Sequence, residues 1–203
     1  MKKFLFSCLL FLQPNYSDVN KESLVGSIAY IENGEIIPIG SGMYIESGIG
    51  PGVLTAKHVA EGGEELEKEL YICNLRLTQC DELQRDYISS SSSSLYKDWA
   101  FYKKEVDFLY KLKKFSNYSI SDDVFLIGSS WGKVPWVSEG NVAWDDEIIF
   151  YVDAFCAPGC SGGAVFNEKN ELIGLIVALY SGSWGPETNQ IIAIPVKNIE
   201  IIK

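Results

Sequence analysis

The sequence predicts an all-β chain whose antiparallel strands close into a barrel or pack as a sandwich. Short runs rich in Val, Ile, Tyr and Phe are broken repeatedly by Gly, Pro, Asn and Ser, which is how strands rather than helices are punctuated. Asn33-Gly34 lies between two such runs, the dipeptide that a two-residue hairpin turn favours. A charged and polar stretch, Lys103 to Asp123, divides the runs into two sets and reads as a crossing between halves.

Taken in order, Leu24 to Ile31, Ile36 to Ile39 and Gly42 to Ile45 read as strands, with Gly40-Ser41-Gly42 and Gly48 to Gly52 as turns. Val53 to Ala60 reads as an apolar strand that ends around His58, the sole histidine. Glu61 to Glu69 is acidic and suits a solvated loop or helical turn. Tyr71 to Leu77 and Leu83 to Ile88 flank a hairpin across which Cys73 and Cys80 can face each other. The serine run Ser89 to Ser94 reads as a flexible surface loop. Leu95 to Tyr102 places Asp98 inside an aromatic strand, where an aspartate is disfavoured unless solvent or a bonding partner receives it. Helical turns are compatible with Val106 to Leu112. The second set comprises Val124 to Gly128, a turn at Ser129 to Gly132, then Trp136 to Trp144 and Ile148 to Phe155. A turn at Asn167 to Asn170 leads into Glu171 to Tyr180, a loop follows at Ser181 to Asn189, and Gln190 to Val196 is the last strand.

Composition narrows the function. The 203 residues suit one domain or two small subdomains sharing an interface. With 47% apolar residues and 13% aromatics the chain has the material for a core. A net charge of −10 argues against nucleic acid as a partner, since a binder would carry a basic face. Met1 to Leu12 has a basic start and an apolar continuation, resembling a secretory signal and too short to span a bilayer. Residues 1–17 are therefore expected to be a signal or N-terminal hydrophobic segment, and the protein to be exported to a periplasmic or extracellular space. Beyond that segment remain Cys73, Cys80, Cys156 and Cys160, which allow three pairings that sequence leaves open. Their spacing does not fit a zinc site and no histidine lies near either pair, so neither a metal nor another cofactor is expected.

The chemistry points to Gly159-Cys160-Ser161-Gly162-Gly163, one serine among glycines on a loop between two apolar runs. Glycine does not obstruct a substrate and reaches backbone angles closed to other residues. Backbone N–H groups in such a loop can converge on one point, as an oxyanion-binding site requires. Ser161 would be the nucleophile, and His58 is the one histidine available as its base.

The landmarks G-S-G-M-Y-I (Gly40 to Ile45), L-T-A-K-H-V (Leu54 to Val59), D-W-A-F (Asp98 to Phe101) and P-G-C-S-G-G (Pro158 to Gly163) occur in an order that resembles the chymotrypsin-like serine peptidases, and within them the bacterial HtrA/Deg protease domain. The resemblance extends to V-F-L-I-G-S-S-W-G (Val124 to Gly132), E-L-I-G-L (Glu171 to Leu175) and A-I-P-V (Ala193 to Val196), and so covers about Gly26 to Lys203. It implies two six-stranded antiparallel barrels with the site in the cleft between them. The expected division is an N-terminal barrel over 18–110, a linker over 111–122 and a C-terminal barrel over 123–203. It implies a triad of His58, Asp98 and Ser161, an oxyanion hole from the N–H groups of Gly159 and Ser161, and polypeptide substrates. Asp98 would orient the imidazole and stabilise its protonated form. The resemblance further assigns substrate binding to Ile176, Val177, Ala178 and Leu179 as a wall and to Phe155 as a base, an apolar set that implies a small or apolar P1 residue. Viral relatives use a cysteine nucleophile followed directly by glycine, but here the residue followed by Gly-Gly is Ser161, and Cys160 takes the position before it. An idle relative used for binding, or a self-processing peptidase, is the competing expectation. Nothing after A-I-P-V resembles a PDZ domain, so peptide-triggered activation is not carried over.

Overall fold

The computed structural model describes residues 20–90, 94–130, 134–181 and 189–202. The expected signal segment, the centre of the serine run, Trp131 to Lys133 and most of the 181–189 loop lie outside them. The first half holds β1 (Gly26–Glu32), β2 (Glu35–Ser47), β3 (Gly50–Thr55), β4 (Leu70–Asn74), β5 (Cys80–Glu82), β6 (Ile88–Ser89) and β7 (Ala100–Tyr102). They form an antiparallel sheet in the order β5-β4-β1-β2-β3-β7-β6. The second half holds β8 (Asp123–Ser130), β9 (Val134–Asp145), β10 (Phe150–Asp153), β11 (Ala164–Asn167), β12 (Leu172–Ser181) and β13 (Asn189–Pro195). These close into a six-stranded barrel in the order β10-β13-β12-β11-β8-β9. This is the chymotrypsin-like double-barrel fold. Among the described residues no helix is long and apolar enough to cross a membrane.

The β1–β2 hairpin turns at Asn33 (φ 52°) and Gly34 (φ 82°), both left-handed, as its two-residue turn requires. Gly40-Ser41-Gly42 is not a turn. It lies within β2, a single strand of 13 residues, where the strand changes partners. Residues up to Gly42 pair with β1, and Met43 to Ser47 pair with β3. The glycines mark close approach at this corner. A Cβ at Gly40 would lie 2.5 Å from Val59 Cγ1, and one at Gly42 would lie 2.8 Å from Ile28 Cδ1. Cys73 and Cys80 are register partners on β4 and β5 and form a disulfide. The strand expected over Leu83 to Ile88 is replaced by the shorter β5 and β6 on either side of an irregular connection.

Residues 103–122 contain no helix and act as a strap across both halves. Leu112 exchanges backbone hydrogen bonds with Tyr44 and Glu46 of β2 (2.8 Å each), and Leu172 of β12 exchanges them with Lys114 and Ser116 (3.0 Å each). Val106, Leu109 and Leu112 are buried beneath it.

Strand alternation sorts the second barrel's side chains into two cores. Val124, Leu126, Val165, Ile173 and Ile176 point into the barrel. Phe125, Ile127, Ala164, Phe166, Leu172 and Leu175 point outwards and join the core of the first half. One apolar mass therefore runs across the interface. Where it gives way to polar groups, the buried hydroxyls of Ser27, Ser41, Thr55, Ser129 and Ser130 form a seam.

Candidate active site

His58 does not end a strand. It is the second residue of α1 (Lys57–Glu65), which starts two residues after β3. The helix cap, Ala56, makes no side-chain hydrogen bond, so the first N–H groups of the helix need acceptors from elsewhere. Asp98 supplies one. Its Oδ1 accepts the His58 backbone N–H at 2.9 Å, while its Oδ2 lies 2.6 Å from His58 Nδ1. Both carboxylate oxygens are thus spent on one residue. A carboxylate also sits favourably at the positive end of a helix. Asp98 is not inside a strand either: it caps a short 3-10 turn over Leu95–Lys97 and precedes β7. Pairing of Thr55 with Ala100 sets the distance, because Asp98 lies two residues before one partner and His58 three residues after the other. The Asp98 side chain is shielded, at 14% exposure, and the imidazole is open, at 48%. With the carboxylate facing Nδ1, that nitrogen is the donor of the pair, and in the neutral ring the lone pair then falls on Nε2.

The loop after β10 is shaped by its backbone. Cys156 and Cys160 form a disulfide across Ala157-Pro158-Gly159, so of the three pairings that the sequence allows, the one with both bridges local is formed. Gly159 (φ 101°) and Gly162 (φ 86°) adopt angles that a side chain would oppose. The Cys160 N–H donates to the Ala157 carbonyl (3.2 Å), the Gly163 N–H to Cys160 (2.7 Å), and the Gly162 N–H to Ile176 (2.8 Å). Among the described residues the N–H groups of Gly159 and Ser161 have no acceptor. The Ser161 carbonyl accepts the Ser41 N–H at 2.8 Å. A Cβ at Gly40 would meet both the side chain of Val59, the neighbour of His58, and the Ser161 carbonyl, at 3.2 Å. The corner of β2 is therefore where the surroundings of the histidine and of the serine come together.

The expected substrate wall divides in two. Ile176 and Val177 are buried, and the Ile176 backbone bonds to Gly162 and Gly163 of the loop. Ala178 is half-buried and Leu179 is exposed. Beyond Leu175, β12 pairs with β13, and among the described residues no strand pairs with its other edge. Phe155 is half exposed, its ring 5.2 Å from that of Trp136. Its backbone is anchored by Trp136 Nε1, which donates to its carbonyl, and by Ser138 Oγ, which accepts its N–H. Sequence reasoning missed Ser41, Thr55 and Ser129. The first and last read as turn residues, and only the glycines around Ser41 signalled a close approach.

A double barrel of this kind, carrying a His–Asp pair and a glycine-shaped serine loop, has the form of the chymotrypsin-like class. Comparison with known proteins gives the family: residues 40–175 match the trypsin-like peptidase domain, and the chain belongs to that family. It is 30% identical over 143 residues to a probable periplasmic serine endoprotease, DegP-like, of Hahella chejuensis, covering 66% of this chain but only 28% of that protein. The serine endoprotease of Yersinia pestis superimposes with a TM-score of 0.69 at 22% identity, covering 88% of this chain and 61% of that one. The MamO protease domain of Magnetospirillum magneticum superimposes with a TM-score of 0.66 at 16% identity, covering 88% of this chain and 95% of that one.

Proposed function

We propose that this chain is an exported serine endopeptidase acting through His58, Asp98 and Ser161. His58 Nε2 takes the Ser161 hydroxyl proton as the oxygen attacks a peptide carbonyl, and returns it to the leaving amine. Asp98 holds the ring in the tautomer that leaves Nε2 free and balances the charge that the ring acquires. The N–H groups of Gly159 and Ser161 stabilise the oxyanion, each worth about 10²–10³ in rate at comparable sites. The acyl-enzyme formed on Ser161 is then hydrolysed by water with His58 again as base. The observation that carries this reading is the shared carboxylate, which commits both oxygens of Asp98 to His58. No triad residue type has been lost, which favours an active enzyme over an idle relative.

Substrate would add as a strand along the free edge of β12 from Ala178 onward, with Phe155 and Leu179 favouring a small or medium apolar P1 residue. A peptide library that returned strict Arg or Lys preference would refute that specificity. Export is supported by the character of Met1 to Leu12 and by the periplasmic designation of the Hahella relative. The division into barrels over 18–110 and 123–203 about a linker over 111–122 is part of the same reading. A fluorophosphonate probe tests the central claim: the wild-type chain is labelled and Ser161→Ala is not. Labelling that survives Ser161→Ala would overturn it.

A further inference from the structure

We propose that Ser41 is a positioning residue that holds the oxyanion-binding face of the serine loop in place. The inference deepens the peptidase reading and rests on it. Ser41 is fully buried, and its N–H, carbonyl and hydroxyl together make four hydrogen bonds. Its Oγ donates to the Gly159 carbonyl at 2.7 Å and accepts the Ser129 N–H at 2.7 Å. Its own N–H donates to the Ser161 carbonyl at 2.8 Å, and its carbonyl accepts from Thr55 Oγ1 at 2.7 Å. One residue of the first half thus grips the carbonyls at two positions of the loop, 159 and 161, and ties them to β3 and β8.

The consequence follows from peptide planarity, which sets each C=O opposite the N–H of the next residue. The Cys160 carbonyl is turned to the Gly163 N–H, so the Ser161 N–H faces the other way. Gly159 has no side chain to restrain it, and among the described residues the Ser41 hydroxyl is the one donor to its carbonyl. Without that hydroxyl, the peptide after Gly159 keeps only the bond from the Cys160 N–H to the Ala157 carbonyl, and the aim of the Gly159 N–H loosens.

The fold supplies a matched control. Ser27 is the register partner of Ser41 on β1, equally buried, and its Oγ donates to Ser129 Oγ at 2.6 Å. It belongs to the same seam but, among the described residues, has no hydrogen bond to the serine loop.

The test compares Ser41→Ala with Ser27→Ala by peptide hydrolysis, by affinity for a peptide boronate that mimics the tetrahedral intermediate, and by amide exchange over residues 157–163. In Ser41→Ala, kcat falls roughly 10- to 100-fold at a KM within about twofold of wild type. Boronate affinity falls in parallel, and exchange over 157–163 accelerates. Ser27→Ala lowers the unfolding midpoint while leaving kcat, boronate affinity and loop exchange unchanged. Ser41→Cys, which keeps the size and a weaker donor, falls between wild type and Ser41→Ala, and judges the proposal if the alanine variant does not fold. Equal kcat in Ser41→Ala and wild type, or an equal loss in Ser27→Ala, would overturn the role of Ser41. If the wild-type chain proved inactive and unlabelled, the peptidase reading would fall. Loop exchange would still decide the clamp, because unchanged exchange in Ser41→Ala refutes it without reference to activity.

Discussion

The two sides of the candidate site are held by opposite means. On the first half, side chains do the holding: a carboxylate from one element fixes the ring and the backbone of a histidine on another. On the second half, the backbone does it, through left-handed glycines, a disulfide and carbonyls gripped from across the seam. The difference teaches where each half is fragile. On the proposed function, the first half should fail when one chemical group is changed. The second should fail when the loop is released, even if every proposed reacting group remains.

The largest expected effect tests whether the two sides act as one machine. Loss of either His58 or Ser161 to alanine should lower kcat by about 10⁶, and the double variant should lose little more, as groups that work as a unit do. Steady-state hydrolysis of a peptide substrate reads this directly. Additive losses would mean that the halves contribute independently, and the comparison would have to be redrawn.

Next in size is Asp98→Asn, which changes one atom on the first half. The amide oxygen can still accept the His58 N–H, but the NH₂ group then faces Nδ1 and favours the wrong tautomer. A drop of about 10⁴ in kcat is expected from the equivalent change in other triads. The unfolding midpoint should shift far less than the rate. A variant that unfolds without a selective loss of kcat would recast Asp98 as the cap of α1 alone.

This double duty explains what was legible in the sequence. The strands were, because their β-branched runs and glycine punctuation are local signals, and Asn33-Gly34 turns where its chemistry requires. The helix carrying His58 was not. Its cap is Ala56, and the acceptor for its second residue comes from Asp98, forty positions along the chain. Asp98 read as a misplaced strand residue for the same reason, since its partner is remote. Gly40-Ser41-Gly42 read as a turn because composition cannot separate a chain reversal from a strand changing partners under close contact. The residue types proposed to react, and their order, were read from the sequence alone; what escaped was the set of groups packed around them.

Each half contains one disulfide, and their removal separates stability from function. Replacing Cys73 and Cys80 with alanine opens a staple between β4 and β5, away from the serine loop. Replacing Cys156 and Cys160 opens the loop whose Gly159 and Ser161 N–H groups are proposed to bind the oxyanion. Short loops of this kind stabilise by about 2 kcal/mol each, so both double variants should lose similar stability in urea. Only the second should lose kcat and boronate affinity. Equal activity in the two would show that the glycines and Ser41 fix the loop without the disulfide.

The smallest effect asks whether the halves unfold together. In the first half, burial, with the nearby Glu64 and Glu61, pushes the Tyr87 phenol up to about 12, and burial raises Tyr102 as well. In the second, burial and the hydrogen bond that Tyr118 donates to Asp145 at 2.9 Å raise that phenol too. Unfolded tyrosines release their protons near pH 10, so above it the unfolded chain binds fewer protons than the native one. Stability should therefore be steady below about pH 10 and fall as the pH rises towards 12. Tyr102→Phe and Tyr118→Phe should each flatten that fall. Because the core and the Ser41 seam cross the interface, urea titrations at alkaline pH should show one transition, moved by either substitution. Two transitions, each answering to the tyrosine of its own half, would mean that the seam positions the site without joining the halves into one cooperative unit.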